Sequence, residues 1–272
     1  MDINNNNNNL LKKDLDIRFL KKGLVIKQLL EKPYPMKKYY NTTIPLNIFQ
    51  TWHSKILPHE MAKTVENIKL TNPAFSYHLF DDDDCYKFIK ANFDETVLEA
   101  FNRLIPGAFK ADLWRYCVLY KLGGIYLDIK YKPVKDFKFI NLVEKEHWVL
   151  DADKIGIYNG LMICKPGNHI LYSAINQIVE NVSNNFYGEK SLEPTGPLLL
   201  EKYFNDEEKN DFDMKHTFYI NYKKYICFSP SNKSKSEDYI IFETYNNYNI
   251  ELNDNAKVPH YSILWEQRNI YK

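Results

Sequence analysis

Leu119-Tyr120-Lys121-Leu122-Gly123-Gly124-Ile125-Tyr126-Leu127-Asp128-Ile129-Lys130 runs a helical pattern into a short strand, and that junction decides the fold. Upstream, from Ala108 to Leu122, the apolar Leu113, Trp114, Cys117, Val118 and Leu122 recur at the spacing of an α-helix. Gly123-Gly124 stops it, because glycine tolerates the positive φ that a helix C-cap needs. Ile125-Tyr126-Leu127 is short and β-prone, a buried strand, and it ends on the carboxylate of Asp128. Open α/β sheets bind ligands at the carboxyl ends of their strands, so Asp128 stands where chemistry is done.

Two further residues belong with it. Asp112 and Arg115 sit three apart on the helix, on one face, and can meet the same ligand. A planar guanidinium suits a forked contact to a carboxylate or a sugar.

Ala111-Asp112-Leu113-Trp114-Arg115-Tyr116, Leu119-Tyr120 and Gly123-Gly124-Ile125-Tyr126-Leu127-Asp128 together resemble the DXD-containing sugar-binding region of retaining glycosyltransferases. The relatives are glycosyltransferase family 32, with its fungal initiating mannosyltransferases, and more distantly the clostridial glucosylating toxins. The resemblance implies a GT-A-like nucleotide-diphospho-sugar transferase fold, α/β, with a mostly parallel central sheet and helices on both faces. It implies transfer of a hexose from a nucleotide-diphosphate sugar donor to a hydroxyl acceptor on a glycan or protein, assisted by Mn2+ or Mg2+. It makes Asp128, Asp112 and Arg115 the catalytic set. One departure matters: the second Asp of DXD is Lys130 here. Either Lys130 takes over part of the metal's role, or it swings away and Asp128 with His260 holds a weaker ion.

The chain around this block continues the resemblance. Ile44-Pro45-Leu46-Asn47-Ile48-Phe49-Gln50-Thr51-Trp52 reads as the first strand, with Gln50 and Trp52 at its polar end. The family places such a Trp by the nucleotide base; a Trp capping the core is the other reading. Pro58 to Leu70 is helical in pattern, and Asn72-Pro73 breaks it. A second strand, Phe75 to Phe80, leads into Asp81-Asp82-Asp83-Asp84. Acidic residues cap a helix N-terminus favourably, which accounts for most of this run. In relatives a shorter cluster touches ribose or base, which keeps Asp82 and Asp83 as substrate-binding candidates. Tyr126 bounds the nucleotide pocket.

Downstream, Trp148 to Leu150 and Leu161 to Cys164 read as paired strands, with Asn159-Gly160 turning into the second. Asn159 opens an N-G element found at the acceptor side in relatives. A helix follows over Asn168 to Val182, and Thr195-Gly196-Pro197 resembles the T-G-P that precedes a helix. Phe204 to Glu243 is polar and weakly patterned, strands with mobile loops. His260 and Trp265 resemble the terminal His and Trp of the family, His260 as a ligand for metal or diphosphate and Trp265 as part of the substrate site.

Composition bounds the alternatives. The 272 residues suffice for one sizeable α/β domain, and a formal charge of +1 argues against a nucleic-acid partner. The four cysteines are scattered, without a C-x-x-C or a disulfide framework. The sequence has no signal peptide and no long apolar run, so a cytoplasmic location is expected. Residues 1–9, Asn-rich, read as a disordered tail; residues 10–38 as a basic amphipathic helical segment; residues 39–272 as the transferase domain. The 10–32 stretch packs on the domain, forms a homo-oligomer contact or touches a membrane surface. Two other functions remain open on sequence: a catalytically degenerate sugar-nucleotide or glycan-binding protein, and a glycoside hydrolase using two of the carboxylates.

Overall fold

The computed structural model describes residues 23–219, 223–230 and 238–272. The Asn-rich stretch and residues 10–22 of the amphipathic segment lie outside them. Residues 23–31 are helical (α1) and bury Ile26 against Val134, Tyr225, Cys227 and Ile240, with Leu29 and Leu30 partly covered. Leu24 and Val25 on the same helix are exposed.

β1 (Asn47–Thr51), α2 (His59–Thr71) and β2 (Ser76–Phe80) make the first crossover unit, with β1 and β2 parallel and Asn47 opposite Ser76. The chain continues through α3 (Asp82–Asn92), α4 (Glu95–Arg103) and α5 (Gly107–Leu122) into β3 (Gly124–Leu127). β3 lies on the other side of β1, again parallel, with Phe49 opposite Tyr126. β4 (Tyr131–Pro133) and β5 (Val149–Leu150) follow, then β6 (Leu161–Cys164), which pairs antiparallel with β3. The first sheet is thus ordered β2-β1-β3-β6. Its two parallel pairs and single antiparallel edge match the mostly parallel sheet expected.

This order fixes the place of the site. The chain leaves β1 toward β2 on one side and returns to β3 on the other. Right-handed crossovers then put α2 on one face and α3 to α5 on the opposite face. The crossovers diverge at this reversal, the place where open α/β sheets bind ligands at the carboxyl ends of their strands. Trp52 follows β1 and Asp128 follows β3, one on each side of it.

The element that carries the site, α5, is buried nearly all round, from Phe109 through Leu119. Leu122, read as the last inward position, is exposed at the helix end. Gly123 caps the helix at φ 61°, with its N–H on Leu119 O at 2.8 Å. Gly124 has φ 123°, and a Cβ there would meet Asn47 Cβ and O at 2.8 Å. The pair therefore serves both the turn and the close approach of β3 to β1.

One expectation needs correction. Val149–Leu150 and Leu161–Cys164 are both strands, but they enter different sheets: β6 joins β3, while β5 pairs with β7 (Met214–Tyr219). Only the bridge between His147 and Ile163 links the two segments as partners. The polar stretch after Phe204 contains strands, as its pattern suggested. After α6 (His169–Ser183), α7 (Pro197–Glu201) and α8 (Asp206–Asn210), β7, β8 (Lys223–Phe228) and β9 (Tyr239–Thr244) build a second sheet, ordered β4-β9-β8-β7-β5. Met214, Ile226, Phe228, Ile241 and Phe242 from it pack on Ile48, Ile125, Leu127 and Ile163. Lysines and tyrosines among the apolar residues mask these strands, although one face meets the first sheet and Tyr225, Cys227 and Ile240 meet α1. The chain ends in α9 (Tyr248–Asp254) and α10 (Tyr261–Glu266). Among the described residues no helix is long and apolar enough to cross a membrane.

The docking of α1 gives a direct test. Ile26→Ala removes a buried aliphatic chain and should cost about 2–4 kcal/mol in urea unfolding. A change below about 0.5 kcal/mol, the size of an ordinary surface substitution, would mean that α1 does not pack there in solution.

Candidate active site

Asp128 emerges from β3 with its backbone N–H on Gly160 O at 2.7 Å, which ties the strand end to the turn before β6. Its Oδ1 accepts from Tyr126 Oη at 2.7 Å and from Arg115 Nη1 at 3.3 Å. Its Oδ2 accepts from Lys130 Nζ at 2.5 Å. Arg115 is the hub. Its Nη1 also donates to Asn159 O at 2.7 Å, its Nη2 lies 3.3 Å from Asp112 Oδ1, and its guanidinium sits 4.4 Å from the Tyr126 ring centroid. Asp112 Oδ1 accepts from Asn159 Nδ2 at 2.9 Å and Oδ2 from Thr195 Oγ1 at 2.7 Å.

Six residues singled out in the sequence, Asp112, Arg115, Tyr126, Asp128, Lys130 and Asn159, therefore form one continuous network. Local structure explains the convergence. Asp112 and Arg115 share a face of α5, and the Gly-Gly turn sends β3 back alongside the helix. A residue four beyond Gly124 then reaches the level of Arg115. Thr195, just before α7, and Tyr116, whose Oη bonds Thr195 O at 3.0 Å, close the far side.

The two carboxylates are electrostatically distinct. Burial opposes charge on Asp128, but the Lys130 ammonium and the Arg115 guanidinium outweigh it and hold the carboxyl down at about 2. Burial pushes Asp112 up to about 6, because Arg115 and the Thr195 hydroxyl only partly offset the desolvation. A carboxylate has about four lone-pair sites, and on each Asp three are taken by donors from the chain. One acceptor site on each remains for a ligand hydroxyl.

The other candidates sit differently. Trp52 shares a cluster with Met61, Val65, Ile129 and Tyr245, next in sequence to Asp128, and its buried Nε1 has no acceptor among the described residues. Gln50 is fully buried, with Nε2 on Leu127 O at 3.1 Å and Oε1 accepting from Tyr77 Oη at 2.7 Å, so both ends of its amide already serve the sheet. Asp81 caps α3 in a reciprocal capping box with Asp84, and Asp83 pairs with Lys87 at 2.5 Å. Partial desolvation raises the carboxyl of Asp82, against the charges of Lys110, His53 and Lys257. His260 is the N-cap of α10: its Nδ1 meets Ser262, and it makes no contact with Asp128. Trp265 donates Nε1 to Tyr187 O at 2.6 Å and packs on the helical core.

Several neighbours carried no sequence signal that set them apart. Tyr158 stacks on His216 with centroids 3.9 Å apart, and its Oη lies 2.8 Å from Tyr131 Oη. His216 Nδ1 in turn meets Asp151 at 2.8 Å. Lys224 on β8 is near enough to feel the charges of Lys130, Asp128 and Asp151, although burial is the larger influence lowering its proton affinity. Burial, and then the charge of Asp128, raises the Tyr248 hydroxyl. These residues come from loops, the second sheet and the helix that begins at Tyr248, most of them distant in sequence from α5.

Residues 58–154 match the family described as "Glycosyltransferase sugar-binding region containing DXD motif". That stretch contains Asp112, Arg115 and Asp128. Inositol phosphoceramide mannosyltransferase 3 of Schizosaccharomyces pombe is 26% identical over 161 residues, 59% of this chain and 44% of that protein. An uncharacterized glycosyltransferase of Acanthamoeba polyphaga mimivirus is 38% identical over 88 residues, 32% of this chain and 35% of that protein. The chain thus spans less than half the length of these two relatives. Among solved structures, PaToxG Glycosyltransferase aligns with a TM-score of 0.46 at 19% identity, covering 58% of this chain and 67% of that one.

The donor set was tested against a divalent ion, and it does not fit. Asp128 is the single carboxylate of the triplet, its oxygens are taken by Tyr126, Arg115 and Lys130, and an ammonium occupies the place of the second ligand. Among the described residues no three of His, Cys, Asp and Glu are grouped to hold a metal.

Gly160 makes the crowding beside Asp128 testable. A Cβ there would press on the Tyr158 hydroxyl and lie 2.7 Å from Asp128 Oδ2. Gly160→Ala should cost about 1–3 kcal/mol in stability through overpacking. Because the carboxylate must shift, it should also weaken ligand binding; a variant with wild-type stability and binding would show that the turn yields freely.

Proposed function

We propose that this chain is a glycosyltransferase that moves a hexose from a nucleotide-diphosphate sugar to a hydroxyl acceptor on a glycan or protein. The observation that carries the reading is the buried Asp112–Arg115–Asp128 network at the sheet reversal, inside the stretch that matches the sugar-binding region. Asp112 accepts hydroxyl hydrogen bonds from the sugar. Arg115 fixes both carboxylates at once, so the sugar is read against a rigid acceptor pair. Trp52, at the end of β1, takes the base against its ring, with its indole N–H available to the ligand. The relatives named mannosyltransferases support a hexose, and mannose first among hexoses.

The reaction breaks the bond between the anomeric carbon and the diphosphate oxygen, and the electron pair leaves with the diphosphate. The acceptor oxygen bonds to that carbon, and its proton passes to a diphosphate oxygen on the same face, which retains the anomeric configuration. Among the described residues no unpaired side-chain nucleophile lies in the network, since both its carboxylates are bridged by Arg115. The same-face route therefore needs only positioning and charge neutralisation from the protein.

A panel of UDP- and GDP-linked hexoses tests the reading by donor hydrolysis and by thermal shift. Wild type should be stabilised by at least one donor and should hydrolyse it slowly. Trp52→Ala should weaken that binding by about tenfold to a hundredfold, the worth of one base–aromatic stack. Stabilisation without any turnover, with or without acceptor, would instead favour the binding-protein alternative.

The pH dependence follows from Asp112. With its carboxyl raised to about 6 by burial, the charge that accepts sugar hydroxyls is present above that pH and is lost as pH falls through it. Asp128, held at about 2, stays ionised throughout this window. Donor binding measured by calorimetry should weaken from pH 7 to pH 5; a flat profile would remove Asp112 from the sugar contact.

A further inference from the structure

Lys130 is the one residue of the block that breaks the DXD pattern, and the structure gives it a definite place. Its side chain is only 15% exposed and its Nζ lies 2.5 Å from Asp128 Oδ2, at the carboxyl end of β3. The ammonium also sits 5.4 Å and 5.6 Å from the ring centroids of Tyr131 and Tyr158. Both rings are held by the hydrogen bond between their hydroxyls. Lys130 has not swung away; it is fixed by a carboxylate on one side and two aromatic faces on the other.

The charge arithmetic is specific. Putting a lysine where DXD has an aspartate changes the formal charge at that position from minus one to plus one. The change is two units, the charge of one divalent cation. A site with Asp112, Arg115, Asp128 and Lys130 is therefore neutral in itself, as a DXD site becomes only when its metal is bound. A fixed ammonium can meet diphosphate oxygens as a point charge.

We propose that Lys130 supplies in this chain the positive charge that offsets the leaving diphosphate, so that donor binding and turnover proceed without a divalent metal. The proposal rests on the transferase reading above. As the anomeric C–O bond breaks, the electron pair goes to the diphosphate oxygen that faces the Lys130 ammonium. No oxidant, reductant or further reactant is involved. Asp128 is then a positioning residue: it holds the ammonium at the sheet reversal.

The experiment measures two things on the full chain, donor turnover and calorimetric binding of UDP and GDP, each in EDTA and in Mn2+. Wild type should retain turnover in EDTA within about twofold of its rate in Mn2+, and Mn2+ alone should give no binding heat. Lys130→Ala should weaken nucleoside diphosphate binding in EDTA by about tenfold to a hundredfold, the loss of one charge-assisted hydrogen bond. Lys130→Arg should restore most of it, and a melting curve on each variant separates this from misfolding. Lys130→Asp, which restores the DXD triplet, should gain Mn2+ binding and make turnover metal-dependent. Wild-type turnover abolished by EDTA and rescued by Mn2+ would overturn the proposal while leaving the transferase reading intact. Absence of nucleoside diphosphate binding and of turnover in both media would overturn that reading and the proposal with it.

Discussion

Everything at the sheet reversal depends on one carboxylate being held between two cations. Asp128 is buried, and burial alone would favour its neutral form; Arg115 and Lys130 together reverse that preference. Such an arrangement is weak evidence for stability, because desolvating three charged groups offsets much of their attraction. What it supplies is fixed geometry. Arg115 also spans to Asp112 and to the Asn159 carbonyl, so α5, β3 and the turn before β6 are locked to one another through a single guanidinium. No apolar core would position two carboxylates and an ammonium this closely at the sheet reversal.

The spacing between Arg115 and Asp128 has a simple geometric origin. From Arg115 to the end of α5 the helix climbs about 10 Å at 1.5 Å per residue. The chain reverses within Gly123 and Gly124, and the extended run to Asp128 descends about 13 Å at 3.3 Å per residue. The two lengths nearly cancel, so residues thirteen apart in sequence return to the same level. Longer or shorter turns would lift Asp128 above or below the guanidinium. Gly124, pressed against Asn47, makes the turn this tight.

This explains which parts of the molecule were legible in the sequence. The α5–Gly–Gly–β3 block is a local unit, and periodicity, capping and a strand-end acid all agree within it, so its elements and the meeting of Asp112, Arg115 and Asp128 were readable. The first strand and the capping run at Asp81 were readable for the same reason. The second sheet was legible only as strands without a pairing, because β7, β8 and β9 mix lysines and tyrosines with apolar residues that pack on both the first sheet and α1. Its contributions to the site, Lys224 and His216, therefore left no local trace. Gln50 shows what a sequence leaves out: a polar residue at a strand end looks like a ligand group, and the structure adds that Leu127 and Tyr77 bond both ends of its amide. His260 likewise had family resemblance in its favour, while its ring is engaged in capping a helix.

The persistence of Asp128 beside Lys130 raises a physical question, since a lone lysine would attract diphosphate more strongly. Strength of attraction is not the quantity that matters for turnover. A fixed cation, unlike a metal ion, cannot depart with the product, so an unpaired ammonium would hold the released diphosphate as firmly as the one still forming. Pairing with Asp128 lowers the field that the ammonium presents and leaves it partly satisfied when the ligand is gone. On the proposed metal-free route, the charge developing on the leaving oxygen strengthens its attraction to the fixed Lys130 ammonium, and Asp128 remains that ammonium's partner as the product leaves. Interactions gained mainly as charge develops are those that accelerate a reaction. On this account the aspartate is retained because a competing partner of fixed position keeps the lysine responsive to the transition state instead of to the product.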